Sequence, residues 1–152
     1  MTRAVSSRAD PLARGETMNN FESLCRQFAD LLGGKPEAQN GVCSVGLHRR
    51  FSVTVQGRPA TSVRPADLLF ESLDASGNAL NLGEIAILEE EVPGFMWSLT
   101  QQGIIVSGLH NHWIYTVPNI LYIHLQSVEP PLRFAQKVAR AFSALQSPPS
   151  SS

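Results

Sequence analysis

The sequence predicts an α+β fold: a ferredoxin-like antiparallel or mixed sheet with added N-terminal strands and helices packed mainly on one face. Three observations carry this. Hydrophobic residues recur at helical spacing in some stretches and alternate in others. Residues 79–145 read as strand, helix, strand, strand, helix, which is most of a ferredoxin-like unit. At 152 residues and 43% hydrophobic content, the chain can bury one respectable core but not two independent ones.

The elements follow in order. Asn19 with Glu22 three residues later resembles a capping box, and Phe21, Leu24, Cys25, Phe28, Leu31 and Leu32 form an apolar helical face that Gly33-Gly34 ends. From Val42 to Val55 the residues become β-branched and alternating, which predicts one long or two short strands closed by the turn Gln56-Gly57-Arg58-Pro59. Leu68–Leu73 and Ala79–Leu88 flank Asp74-Ala75-Ser76-Gly77, a turn cluster that suits a hairpin. Glu89-Glu90-Glu91-Val92-Pro93 then places acids and a proline where a helix N-terminus favours both, with Val92, Phe95, Met96 and Leu99 on one face. Ile104–His112 and Asn119–Val128 are predicted antiparallel strands joined by the loop Trp113–Pro118. Glu129-Pro130-Pro131 opens a last amphipathic helix that turns Leu132, Ala135, Val138, Ala139 and Phe142 inward. A right-handed crossover would set the strand at 104–112 parallel to that at 79–88 in the same sheet.

Residues 1–18 mix Arg, Ser, Asp, Pro and Gly without periodicity, and Met18 stands directly before a strong helix start. They are expected to be a disordered extension, or to precede the true start of translation. Residues 19–146 are expected to form one domain, and the Pro- and Ser-rich 147–152 a loose tail. The formal net charge of −1 and the absence of any basic run longer than His48-Arg49-Arg50 argue against nucleic acid as a partner. No apolar run is long enough to cross a bilayer and the N-terminus lacks an apolar signal core, so no membrane association and a cytoplasmic location are expected. Cys25 and Cys43 are far from any CxxC spacing and read as reduced, buried thiols.

The chemistry-bearing feature is Leu109-His110-Asn111-His112-Trp113, with His124 twelve residues beyond the second histidine. Imidazole is the commonest protein metal ligand and the side chain best suited to proton transfer near neutral pH. His110 and His112 are two apart and share a face if the strand is regular. His124 joins them only if the hairpin pairs even-numbered residues with even, for example His110 opposite His124, because a slip of one residue turns every side chain over. That register also leaves Leu121, Ile123 and Leu125 as an apolar row for the helices. A helix of about twelve residues rises roughly 18 Å, and a returning strand covers that span in about five or six residues, so Glu91 is expected level with His110.

The runs Gly83–Val92, Leu109-His110-Asn111-His112, Pro118 and Ile123-His124 resemble an uncharacterised bacterial family that includes the lipoproteins LppY and LpqO. The likeness extends more weakly back to Asn20 and through Val53-Thr54-Val55-Gln56-Gly57, covering most of residues 20–145. It implies a shared fold and a shared site, without an established reaction. Where that family's pattern offers an Arg-x-Asp step before Val53, this chain reads His48-Arg49-Arg50. The HNH nucleases share only three letters with this motif, and the missing basic patch separates the two.

Three readings of the histidines stand side by side. In the first, His110, His112 and His124 bind a divalent metal, zinc before iron, nickel or copper, with Glu91 or water completing the shell. Glu91 and Asn111 are then the candidate catalytic residues of a metal-dependent hydrolase or related enzyme, Glu91 as base. In the second, the histidines move protons or bind a polar small molecule without metal. In the third, the imidazoles and Asn111 satisfy backbone groups at a hairpin end, within a non-enzymatic ligand-binding or homo-oligomeric assembly module. His48 reads as an exposed or supporting residue, Trp113 and Tyr115 as pocket walls, and Tyr122 as a phenol facing the site or packing beside it.

Overall fold

A computed structural model describes residues 11–151, with side chains from Asn20 onward. The elements are α1 (Pro11–Leu32), β1 (Glu37–Gln39), β2 (Val42–His48), β3 (Thr54–Val55), β4 (Arg58–Pro59), β5 (Pro65–Glu71), β6 (Ala79–Leu88), α2 (Val92–Gln101), β7 (Ile105–His110), β8 (Thr116–Val117), β9 (Ile120–Glu129) and α3 (Pro131–Ala141). A 3-10 turn, Glu89–Glu91, leads into α2, and a second, Phe142–Ala144, follows α3.

The fold is α+β. Six strands form the main sheet in the order β1-β2-β5-β6-β9-β7, and three short ones form a second sheet, β4-β3-β8. All neighbours pair antiparallel. Because β9 lies between β6 and β7, those two run parallel without touching, the split arrangement that the strand-helix-strand-strand-helix order predicts.

All three helices contribute to one apolar cluster on one face of the sheet. Cys25, Phe28 and Ala29 of α1, Phe95 and Leu99 of α2, and Phe134, Ala135 and Val138 of α3 meet Val45, Leu47, Leu68, Phe70, Ile85, Ile87, Ile123 and Leu125 from the strands. Phe28 sits at the centre, 5.0 Å from the Phe70 ring and 6.4 Å from Phe134. Burying one such side chain contributes about 1.5–3 kcal/mol. The Gly33-Gly34 stop does two jobs. Gly33 adopts φ +80°, and a methyl on Gly34 would come within 2.4 Å of Val45 Cγ1, so only glycine lets the chain cross β2 this closely.

A smaller cluster, Val53, Val63, Ala86, Leu88, Ile120 and Tyr122, lies apart from the main core. The 42–55 region divides into two strands, and the loop expected at 113–118 contains β8, which pairs with β3.

Several expectations change. Helix α1 starts at Pro11 rather than Asn19, taking in part of the stretch expected to be an extension; Ala13, Arg14, Glu16 and Met18 are among the residues that favour helix there. The rest of that stretch, residues 1–10, lies outside the described residues. The expected loose tail is paired instead: the backbone N–H of His48 donates to Ser150 O at 2.8 Å, and Ser150 N–H returns a bond to His48 O at 3.0 Å. Cys25 and Cys43 are not free thiols but a disulfide between α1 and β2, with Cα atoms 5.5 Å apart and both residues fully buried. Their separation of 18 in sequence hid this, because the packing of α1 across β2 brings them together.

Candidate metal centre

The face of the sheet turned away from the helices carries the polar residues. Along β9 the even-numbered Tyr122, His124 and Gln126 point that way, since the odd-numbered Ile123 and Leu125 enter the helix-side core. The ladder to β7 begins with Ile105 opposite Gln126 and Val106 opposite Leu125, then shifts by one residue, so that Gly108 faces His124, Leu109 faces Ile123 and His110 faces Tyr122. The extra residue is Ser107, in a β-bulge. Without the shift His110 would stand opposite Leu121 and point toward the core. The pairing is even with even, as the favoured register requires, but His110 meets His124 diagonally rather than directly.

The three imidazoles converge. One ring nitrogen from each of His110, His112 and His124 lies within 4.8 Å of the others. The His110 ring stacks 4.8 Å from both His112 and His124. Gly108 makes room, since a methyl there would already touch the Cδ2 atoms of His124 at 3.4 Å and His110 at 3.7 Å. Tetrahedral zinc, with nitrogen at roughly 2.05 Å, sets its ligand atoms about 3.3 Å apart, so the ring nitrogens would have to draw closer to hold such an ion, and His110 and His112 are the exposed members of the cluster. Most telling is His124 Nε2, which is buried yet has no hydrogen-bond partner. A buried polar atom of this kind calls for a ligand or water.

The carboxylate beside the cluster is Glu84, directly opposite His124 in the β6–β9 ladder. Its Oε1 lies 3.8 Å from His112 Nε2 and 4.0 Å from His124 Nε2. Asp67 is its neighbour on β5. Burial pushes the Asp67 carboxyl above its ordinary value and the nearby Glu84 charge adds to this, while His48 opposes it.

Tyr122 braces the far side. Its ring is 4.2 Å from that of His112, its hydroxyl donates to the Val63 carbonyl, and Trp113 Nε1 donates to the same hydroxyl at 3.1 Å. Burial raises the phenol's pKa, the hydrogen bond from Trp113 partly offsets this, and the Glu84 charge adds to it. The phenol is thus occupied in anchoring the 113 loop to Val63. Tyr115 is largely exposed, at φ +59°.

The side chains of the two candidate catalytic residues are engaged in other contacts. Asn111 donates its amide N–H to Asn119 Oδ1 at 3.2 Å and ties the ends of the loop together. Glu91 does not join the histidines. It is buried, paired with Arg49 Nη2 at 2.6 Å, and accepts the backbone N–H groups of Leu88 at 2.9 Å and Gln146 at 2.8 Å. Burial alone would raise its pKa, but the hydrogen bond from Arg49, then those from Gln146 and Leu88, hold it below the ordinary carboxylate range. The helix-rise argument addressed height along the sheet and had no ruler for direction. Glu84 was legible by another signal: it is a charged residue amid the alternating apolar run of a central strand, where carboxylates are costly.

A family model described as Domain of Unknown Function (DUF1259) matches residues 26–144. No curated protein and no solved structure matches the chain.

Proposed function

The chain belongs to the family described as Domain of Unknown Function (DUF1259), and from that premise we propose that it is a metal-binding domain in which His110, His112 and His124 hold one divalent ion, zinc foremost, with Glu84 as the adjacent carboxylate. The observation that carries this reading is the buried Nε2 of His124, which has no hydrogen-bond partner, inside a three-imidazole cluster. Three protein ligands with a remaining open position are the arrangement of catalytic rather than structural zinc sites, which favours a metal-dependent hydrolase or related enzyme acting on a small molecule. A bound ion would supply Lewis-acid polarisation and a water of lowered pKa. Glu84 takes the role of proton acceptor assigned from the sequence to Glu91, and Asn111 holds the loop that carries His112. The likeness to the lipoproteins LppY and LpqO, carried by the spacing of His110 and His112 to His124, is part of this reading.

The test is metal analysis of protein purified without a histidine tag and dialysed against zinc, compared with a His110→Ala, His112→Ala double variant. One equivalent of zinc in the parent and none in the variant is the expected result. Equal, negligible metal in both overturns the proposal.

A second reading, a non-enzymatic homo-oligomeric assembly module, draws support from the exposed Trp113, Ile114, Tyr115 and Val117 beside the histidines. Light scattering after size exclusion separates the two: an oligomer in which His110 and His124 resist modification by diethylpyrocarbonate favours the module. The Cys25–Cys43 disulfide supports an oxidising compartment in place of the cytoplasm expected from the sequence.

A further inference from the structure

Beyond the end of β2, His48, Arg49, Arg50, Thr61, Ser62 and Arg64 line a separate open depression of about 540 Å³. It shares no lining residue with the histidine cluster, and none of its lining residues is a carboxylate. Three arginines are unusual in one cleft of a chain whose formal net charge is −1. Arg49 is spoken for by Glu91 and by the Ala86 carbonyl, to which Nη1 donates at 2.8 Å. Arg50 and Arg64 form no ion pair among the described residues: Arg50 Nε donates to Ser150 Oγ at 2.9 Å, and Arg64 Nη1 to the Phe51 carbonyl at 2.8 Å.

Two donors stand out. The Nε atoms of Arg49 and Arg64 are both buried and have no acceptor, and Arg49 as a whole is only 1% exposed. A buried N–H without an acceptor carries its full desolvation cost, so this region has donors and positive charge in excess of what the protein itself satisfies. We propose that the depression binds a small oxyanion, the phosphate or carboxylate group of a soluble molecule, between the guanidinium groups of Arg50 and Arg64, with the Thr61 and Ser62 hydroxyls as further donors. Guanidinium forks match the planar spacing of carboxylate and phosphate oxygens. The patch is confined to one cleft, which suits one anionic group and not a polyanion, whose binding needs a broad basic surface. The cleft has a structural route to the histidines, because Val63, between Ser62 and Arg64, accepts the hydroxyl of Tyr122, whose ring contacts His112. The proposal itself does not depend on a metal being bound there.

Inorganic phosphate and succinate, titrated separately into chelator-treated protein at constant ionic strength and followed by thermal shift and by amide NMR shifts, test it. Saturable binding of either anion is expected, with amide shifts centred on residues 48–50 and 61–64; the stronger of the two identifies the group. Arg50→Glu, an exposed change compatible with folding, and Arg64→Gln should each weaken binding at least tenfold. The His110→Ala, His112→Ala variant should bind as the parent does. A response no larger than that to sodium chloride, binding retained in both arginine variants, loss of binding in the histidine variant, or binding only to duplex DNA would each overturn the assignment.

Discussion

Gly108 lies directly opposite His124 across the β7–β9 ladder, close enough that a methyl group on it would be in van der Waals contact with the imidazole at 3.4 Å. There is room at this position for a methyl group at most while His110 and His124 share one space. Gly108→Ala should therefore bind zinc nearly as well as the parent, whereas Gly108→Val, with two further methyls, should force the rings apart and weaken zinc about 10–100-fold, the range for disturbed ligand orientation. Competition with a chromogenic chelator measures this; equal affinities in parent and Gly108→Val would refute the claim that ring approach is limited here.

Glu84 and Glu91 should behave as opposites. Glu91→Gln breaks a buried ion pair and leaves Arg49 uncompensated, at a cost of about 3–5 kcal/mol at neutral pH by urea denaturation, with zinc stoichiometry unchanged. Glu84→Gln should lower zinc affinity while shifting the stability of the metal-free protein by less than about 0.5 kcal/mol.

The Glu91 pair also sets an acid limb. Its folded pKa is held down relative to the unfolded chain, so its stabilisation is fully present above the ordinary glutamate value of about 4.3 and is lost as pH falls through the lower folded value. Stability measured from pH 7 to pH 3 should fall in the parent and fall less steeply in Glu91→Gln, the two curves converging in acid. Parallel curves would contradict this.

Reduction should loosen the contact between α1 and β2. A crosslink closing a loop of this size contributes about 3 kcal/mol, so a phosphine reductant or the Cys25→Ala, Cys43→Ala double change should lower the unfolding free energy obtained from urea denaturation by a similar amount. Alkylation of the unreduced, denatured protein followed by mass analysis should find no free thiol; two alkylated cysteines would remove the bond from the native state.

The Tyr122 hydroxyl links the histidine loop to Val63. Tyr122→Phe leaves the Val63 carbonyl and the Trp113 indole N–H without their partner, and should cost about 1–3 kcal/mol. Trp113 fluorescence should shift to the red as its loop detaches. An unchanged emission maximum and midpoint would show that the contact does not hold the loop.

Much of this architecture was legible. Periodicity located all three helices and the long strands, because a face buried on one side imprints its repeat on the sequence whatever the neighbours are. The face of His124 was legible for the same reason, since Ile123 and Leu125 face the helices, whereas the bulge that turns His110 the same way was not. What escaped was whatever depends on two distant segments meeting. Cys25 and Cys43 carry no mark of partnership until α1 is laid across β2, and Glu91 is drawn away from the histidines by Arg49 and the Gln146 backbone, which arrive from other parts of the chain. The second sheet was missed because strands of two residues are too short to show alternation.

The bulge at Ser107 has an evolutionary corollary. A single-codon deletion there would leave every histidine in place in an alignment, yet would trade an outward imidazole for an inward one. Relatives that keep the centre are therefore to be sorted from those that have lost it by counting residues between Val106 and His110, and not by checking that the histidines are present.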